Sequence, residues 1–131
     1  MRAATGVEIV GAFFTAFGEG DVPRAMSYLA PEVRWTLHAH DIPWGGTFTG
    51  PAGVGDFFAK FGTHAEPIEM TPKSMAEAEG LVYVRGIERS KVKATGKEYA
   101  VEWVHVIATD DGKITTFDEY LDSAAIAAAM R

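Results

Sequence analysis

Apolar residues in the first part of the chain recur every three or four positions. In VEIVGAFFTAFGEG, Val7, Val10, Phe13, Phe14 and Phe17 form one stripe, which predicts a helix. Gly18 and Gly20 weaken its end. DVPRAMSYLAP predicts a short second helix. Asp21 suits its N-cap, Pro23 sits in the first turn where a missing N–H costs little, and Pro31 ends it. From Val33 the period changes to two. VRWTLH reads as a strand with Val33, Trp35 and Leu37 on one face. HDIPWGGTFTGPAG reads as a loop containing a short strand. Pro51 then opens a third helix, PAGVGDFFAKFGTHA, with Val54, Phe57, Phe58 and Phe61 as its apolar side.

Beyond residue 64 the pattern is that of strands. AEPIEMTPKSMA is interrupted by prolines, as an edge strand can be. LVYVRGIERSKV, EYAVEWVHVIAT and KITTFDEYL follow, joined by the turns KATGK and TDDGK, each with a glycine where a positive φ is needed. DSAAIAAAMR predicts a C-terminal helix capped by Asp122 or Ser123. Helices followed by a long antiparallel sheet give an α+β class. The helices are too few to cover both sheet faces. A curved sheet wrapping them on one side, and meeting a second subunit on the other, encloses an apolar pocket.

Composition narrows the class. The chain has 131 residues, of which 47% are hydrophobic and 23% charged, enough for one domain spanning residues 1–131. A net charge of -6 gives no general attraction to nucleic acid or to an anionic membrane. The local basic run from Arg85 to Lys97 reads as a solvated face. The absence of cysteine excludes a disulfide scaffold, a thiol nucleophile and a Cys-ligated metal. No apolar run reaches the length of about 18 residues that spans a bilayer, and the first residues lack a signal-peptide pattern. A cytoplasmic protein without cofactor, nucleic-acid partner or membrane contact is expected.

The candidate chemistry lies in VEWVHV, where alternation places Val101, Trp103 and His105 on one face and Glu102, Val104 and Val106 on the other. A three-residue turn of Asp110, Asp111 and Gly112 pairs Thr109 with Lys113. His105 then lies opposite Phe117, and Trp103 opposite Glu119. Cross-strand partners share a face, so Trp103, His105, Phe117, Glu119 and Leu121 form the interior set. A carboxylate there needs a partner or takes up a proton, and His105, diagonal to Glu119 in this register, is the available partner. The pair serves either as a self-satisfied buried contact or as an acid/base site.

The KATGK hairpin allows two registers. A two-residue turn of Thr95 and Gly96 turns Glu88 and Ser90 inward, with Glu88 near Trp103. A glycine bulge turns Arg85, Ile87 and Arg89 inward instead. If Arg89 faces outward, it pairs with Glu102. HAHD brings His38, His40 and Asp41 together at the end of the first strand, but no fourth ligand is evident, so no metal site is expected. His38 is read as a polar contact at the pocket mouth. Trp35 and Trp44 are read as wall residues.

GEGDVPRAMSYLAPEVRW, WGGTFTGPAGVGDFF and WVHVIATDDGKITTFDEYLD resemble the nuclear-transport-factor-2-like superfamily, in particular its SnoaL-like and ketosteroid-isomerase-like branch. The likeness covers nearly the whole chain. It implies a cone of three helices laid into a curved sheet, a pocket between them, and a homodimer through the outer sheet face. Activity does not follow from fold alone. The family's steroid isomerases use a carboxylate base, a tyrosine and a protonated aspartate, where this chain has Leu37, Phe13 and Trp103. That route is not expected here. Limonene epoxide hydrolase resembles GKITTFDEYLD, with Glu119 at its aspartate. Arg89 and Lys91 match its other residues in one alignment, Gly86 and Glu88 in another, and neither completes an Asp–Arg–Asp set.

SnoaL-like cyclases use an aspartate aided by a histidine, which His105 and Glu119 resemble with a side chain longer by about 1 Å. The resemblance therefore implies acid/base catalysis of isomerase, cyclase or dehydratase type on a small hydrophobic carbonyl compound. His105 and Glu119 are the candidate catalytic pair, and Phe13, Phe17, Trp35, His38, Trp103 and Phe117 the candidate ligand contacts. Three other readings stay open: a non-catalytic binding protein for a small hydrophobic molecule, an incomplete epoxide hydrolase, and a dimeric adaptor plugged by Phe13, Phe17, Trp35 and Trp103.

Overall fold

The computed structural model describes residues 4–131. Helix α1 (Gly6–Gly18) starts at a capping box, in which the Thr5 hydroxyl takes the Glu8 N–H and the Glu8 carboxylate takes the Thr5 N–H. Its stripe of Ile9, Val10, Phe13 and Ala16 is buried. Helix α2 (Val22–Met26) is capped by Asp21, as its sequence suggests, but ends early. Strand β1 (Leu29–Leu37) already includes Pro31, which the helical reading had placed at the end of α2. Two causes favour the strand. The residue before a proline is pushed towards extended backbone, and Leu29 pairs with Ile114 across the sheet, where Ile114 N–H donates to Tyr28 C=O at 2.7 Å. The proline is taken up where the register shifts between Leu29 and Arg34.

Strand β2 (Gly46–Thr49) runs antiparallel to β1 and feeds α3 (Gly50–His64), which buries Val54 and Phe57. The remaining elements are β3 (Ala65–Ala78), β4 (Leu81–Val92), β5 (Glu98–Asp110), β6 (Lys113–Leu121) and α4 (Ser123–Ala129). The six strands form one curved, unclosed sheet in the order β2-β1-β6-β5-β4-β3, antiparallel except for the β1–β6 pair. Strand β3 is one edge, opposite β2, and its register shifts beside Pro67 and Pro72, where no ladder N–H is available.

The β5–β6 hairpin differs from its predicted register by two residues without a change of face, and of the two registers open to the β4–β5 hairpin it takes the parity that turns Glu88 and Ser90 inward, two residues from a two-residue turn. The β5–β6 turn has two residues rather than three: Asp111 and Gly112 take positive φ, and Asp110 pairs with Lys113. A bulge after Ala108 supplies the compensating residue, so that Ile107 faces Phe117 and His105 faces Glu119 directly. The β4–β5 turn is longer than two residues, because Lys91 pairs with Glu98. Its residues are engaged by helix ends. Thr95 Oγ1 donates to Ala129 C=O at 2.7 Å, Lys97 Nζ to Arg131 C=O, and Lys93 Nζ to Gly62 C=O. The basic run is thus partly a set of caps for helical C-terminal carbonyls rather than only a solvated face. Arg89 faces out but pairs with Glu98 at 2.8 Å, whereas Glu102 lies 3.8 Å from Arg85.

Candidate functional site

Strict alternation on β4 and β5 directs one side chain in two to the interior. Val82, Val84, Glu88, Ser90 and Val92 of β4 and Tyr99, Val101, Trp103, His105 and Ile107 of β5 are all buried. Phe117 and Glu119 of β6 and Trp35 and Leu37 of β1 continue this face. Helix α1 lies over it. Phe13 contacts Trp35 and Phe117 at ring distances of 6.1 and 5.9 Å, and Trp35 lies flat on Phe117 at 3.8 Å. Phe17 sits beside Phe13 and Phe58 at the half-buried end of the cluster.

His105 is 6% exposed and Glu119 9%. The imidazole is stacked on Trp103 with ring centroids 4.0 Å apart and lies near-parallel to Phe14, which covers both rings. Its Nε2 is 3.4 Å from Glu119 Oε2, near enough for ion pairing but not aligned for a hydrogen bond. Both imidazole nitrogens, and the indole N–H groups of Trp35 and Trp103, are buried without a hydrogen-bond partner among the described residues. Four such atoms on one face are unusual, since buried polar groups are nearly always paired.

Trp103 lies as it does because of Gly86, its cross-strand neighbour. A Cβ at residue 86 would meet the indole Cζ2 at 2.2 Å and Thr71 C=O at 2.6 Å. The glycine lets the indole lie across β4, and the indole in turn backs the imidazole.

A second polar group shares this face. Glu88 Oε2 accepts from Ser90 Oγ at 2.7 Å and from Tyr99 Oη at 2.6 Å. Burial pushes the Glu88 carboxyl up from its ordinary range. The Tyr99 and Ser90 hydrogen bonds oppose this, and the Glu119 charge adds to it. Burial and the Glu88 charge push the Tyr99 hydroxyl well up too, so it remains a donor. Tyr99 and Phe14 were absent from the sequence-derived candidates. Tyr99 was readable, because it continues the alternation of Val101, Trp103 and His105 by one step. Phe14 stands on the predicted helical stripe, but nothing in that stripe says it reaches β5.

His38 is placed away from this face. Its Nε2 lies 2.8 Å from Asp118 Oδ1 and its ring stacks on Tyr120 at 4.4 Å, so it stands with the outward residues of β6. The cause is the alternation of β1, which turns Trp35 and Leu37 inward and the next residue outward. Trp44 is buried against Phe61. Arg85 and Arg89 are both outward, so β4 brings no arginine between Glu88 and Glu119. Among the described residues no three His, Asp or Glu side chains converge as a metal site would require, and no helix is long and apolar enough to cross a membrane.

The sequence model of the SnoaL-like domain matches residues 10–117. The chain belongs to the SnoaL-like domain family. Solved structures agree with this SnoaL-like fold. An NTF2-like protein from Burkholderia thailandensis is 26% identical over 100% of this chain and 99% of its own, with a TM-score of 0.90. TerC, co-crystallised with polyporic acid, is 25% identical over 95% of this chain and 96% of its own, with a TM-score of 0.83. A protein from Catenulispora acidiphila with a ketosteroid isomerase-like fold is 20% identical over 97% of this chain and 94% of its own, at a TM-score of 0.77, and shows the fold alone. No functionally curated protein matches the sequence.

Proposed function

We propose that this SnoaL-like domain performs acid/base chemistry on a small hydrophobic carbonyl compound held on the inner face, with His105 and Glu119 as the proton-transferring pair. The observation that carries this reading is the buried imidazole. It faces a carboxylate at 3.4 Å, and neither of its nitrogens has a hydrogen-bond partner among the described residues. An imidazole that served only to satisfy a core glutamate would be aligned with it. In the proposed reaction, neutral His105 removes a proton from the carbon next to the carbonyl. The C–H electron pair becomes a C=C bond, and the carbonyl electrons move to oxygen. Glu119 stabilises the resulting imidazolium, and the proton returns to the same or a conjugated carbon. The co-crystal of TerC with polyporic acid supports a small organic molecule as the occupant of this fold.

The test is exchange of α protons for deuterium in a panel of aryl ketones, followed by NMR. The wild-type protein should accelerate exchange, and His105→Ala or Glu119→Gln should each reduce it by about 10². Wild-type exchange no faster than in buffer would remove the catalytic reading. The contact of Phe13, Trp35 and Phe117 with one another favours a second reading, a dimeric adaptor whose pocket these rings plug. It predicts no ketone affinity and no exchange.

A homodimer through the outer sheet face is part of the same proposal. Val104 and Tyr120 are exposed there as cross-strand partners on β5 and β6, and Tyr83 of β4 is exposed on the same face one step further along. Val104 and Tyr120 line a groove of about 660 Å³ that also carries Arg85 and Glu102, a self-complementary charge pair for a second copy.

A further inference from the structure

His105 is 6% exposed, and three aromatic rings of the described residues pack against its imidazole. Two of them belong to the sheet and are themselves buried: Trp103 at a centroid distance of 4.0 Å and Phe117 at 4.6 Å. The third, Phe14, comes from α1 and is only half-buried. Its ring lies 5.8 Å from the imidazole and 6.0 Å from the indole, near-parallel to both at 11° and 9°. Of the three, Phe14 is therefore the cover that reaches solvent, and the one whose backbone is not fixed by the sheet ladder.

The helix around Phe14 is uneven. Val10 and Phe13, on one side of it, are buried. Gly11 stands one turn before it and Gly18 one turn after, both on the other side, towards the exposed Thr15. A Cβ at either glycine would meet nothing within 4 Å. Glycine in the middle of a helix is destabilising relative to alanine. Gly11 carries that cost with no positive φ and no close neighbour to require it. Its effect is to leave a bare strip on the helix beside Phe14. A long side chain in a helix has two allowed χ1 rotamers, both leaning back over the preceding turn. For Phe14 that turn holds Val10 on the covered side and Gly11 on the open one.

We propose that Phe14 is a gate over His105: its ring swings between the imidazole and the bare strip at Gly11, and the open position exposes the imidazole to small molecules. The inference goes beyond the acid/base reading, since it concerns what reaches His105 and not what His105 does. It gives a route to a histidine that the packed inner face otherwise closes off. Gly11 acts through Phe14 and is a positioning residue.

The test is the rate at which diethyl pyrocarbonate modifies each histidine of the folded protein at pH 8, read peptide by peptide in a mass spectrometer. His40, which is exposed, is the internal reference. In the wild-type protein His105 should react about 10² times more slowly than His40, the share of a minor open state near 1%. Phe14→Ala should raise the His105 rate at least tenfold. Gly11→Ala and Gly11→Val place a small and a branched side chain under the open position, and should lower it progressively, at least threefold and tenfold. This direction is opposite to a loosened fold, and the glycine series decides the matter if Phe14→Ala does not fold. An unchanged or faster His105 rate in both Gly11 variants would overturn the gate and leave Phe14 a fixed cover. A wild-type rate that rises with urea as steeply as global unfolding would overturn it too, because access would then need the whole domain to open. The readout is independent of ketone exchange: gated labelling without exchange removes the acid/base reading alone, and exchange with ungated labelling removes the gate alone.

Discussion

Gly86→Ala is the sharpest probe of how the inner face is built. The glycine occupies a strand position where the backbone is ordinary, so the substitution tests room rather than conformation. The new methyl carbon would lie 2.2 and 2.4 Å from two indole carbons of Trp103, and 2.6 Å from Thr71 C=O. Carbon atoms in contact sit about 3.5 Å apart or more, so the indole must retreat by about 1.3 Å. It cannot do so alone, because the His105 ring is stacked on it at 4.0 Å and Phe14 covers both. The Thr71 carbonyl belongs to the β3 backbone and cannot swing aside. Overpacking of this kind costs about 1–3 kcal/mol, and a rigid obstacle on each side puts this case near the upper value. For a domain of this length that lowers Tm by about 10 °C. Urea denaturation gives the free energy, and a double-mutant cycle with Trp103→Leu assigns it. In the leucine background the cost of Gly86→Ala should fall to the share owed to Thr71. A cost below about 0.5 kcal/mol in the wild-type background, within the range of surface substitutions, or an equal cost in both backgrounds, would refute the packing argument. Because the imidazole rides on the indole, ketone α-proton exchange should fall along with stability.

Two further outcomes follow from the same face and its reverse. The raised Glu88 pKa means that the folded chain keeps a proton the unfolded chain loses from about pH 4.3 upward. That contribution to stability is therefore present at low pH and declines as pH rises to the folded value, then levels off. Glu88→Gln removes it, so the Tm difference between variant and wild type should move in the variant's favour from pH 4 to pH 7; a difference that does not change with pH contradicts the assignment. On the outer face, Val104→Lys with Tyr120→Lys should convert a wild-type dimer to a folded monomer in analytical ultracentrifugation, and a monomeric wild-type protein at micromolar concentration ends the dimer proposal.

Much of the interior was legible because side-chain direction in a strand depends only on parity. The predicted β5–β6 register was wrong by two residues, and an even error leaves every face unchanged. His105, Trp103, Phe117 and Glu119 were therefore placed together from alternation and turn chemistry, whereas the β4–β5 turn allowed both parities and the structure selects the one that turns Glu88 and Ser90 inward. His38 shows the limit of reading past a strand. Its assignment came from the HAHD cluster, and one further step of alternation would have turned it outward.

The order of elements, the α+β class and the inward identity of these residues were determined by the sequence itself, through periodicity and glycine placement. What the tertiary structure alone decided is who meets whom. The two-residue turn and the bulge after Ala108 together move His105 from Phe117 to Glu119. The seating of Thr95 and Lys97 on the carbonyls at the end of α4 and just past it accompanies the longer β4–β5 turn, which moves Glu88 from Trp103 to Val101. The contact of Phe14 with His105 depends on how α1 lies across the sheet. Each of these is set by the competition of distant groups for the same hydrogen bonds and the same space, which no local pattern of residues records.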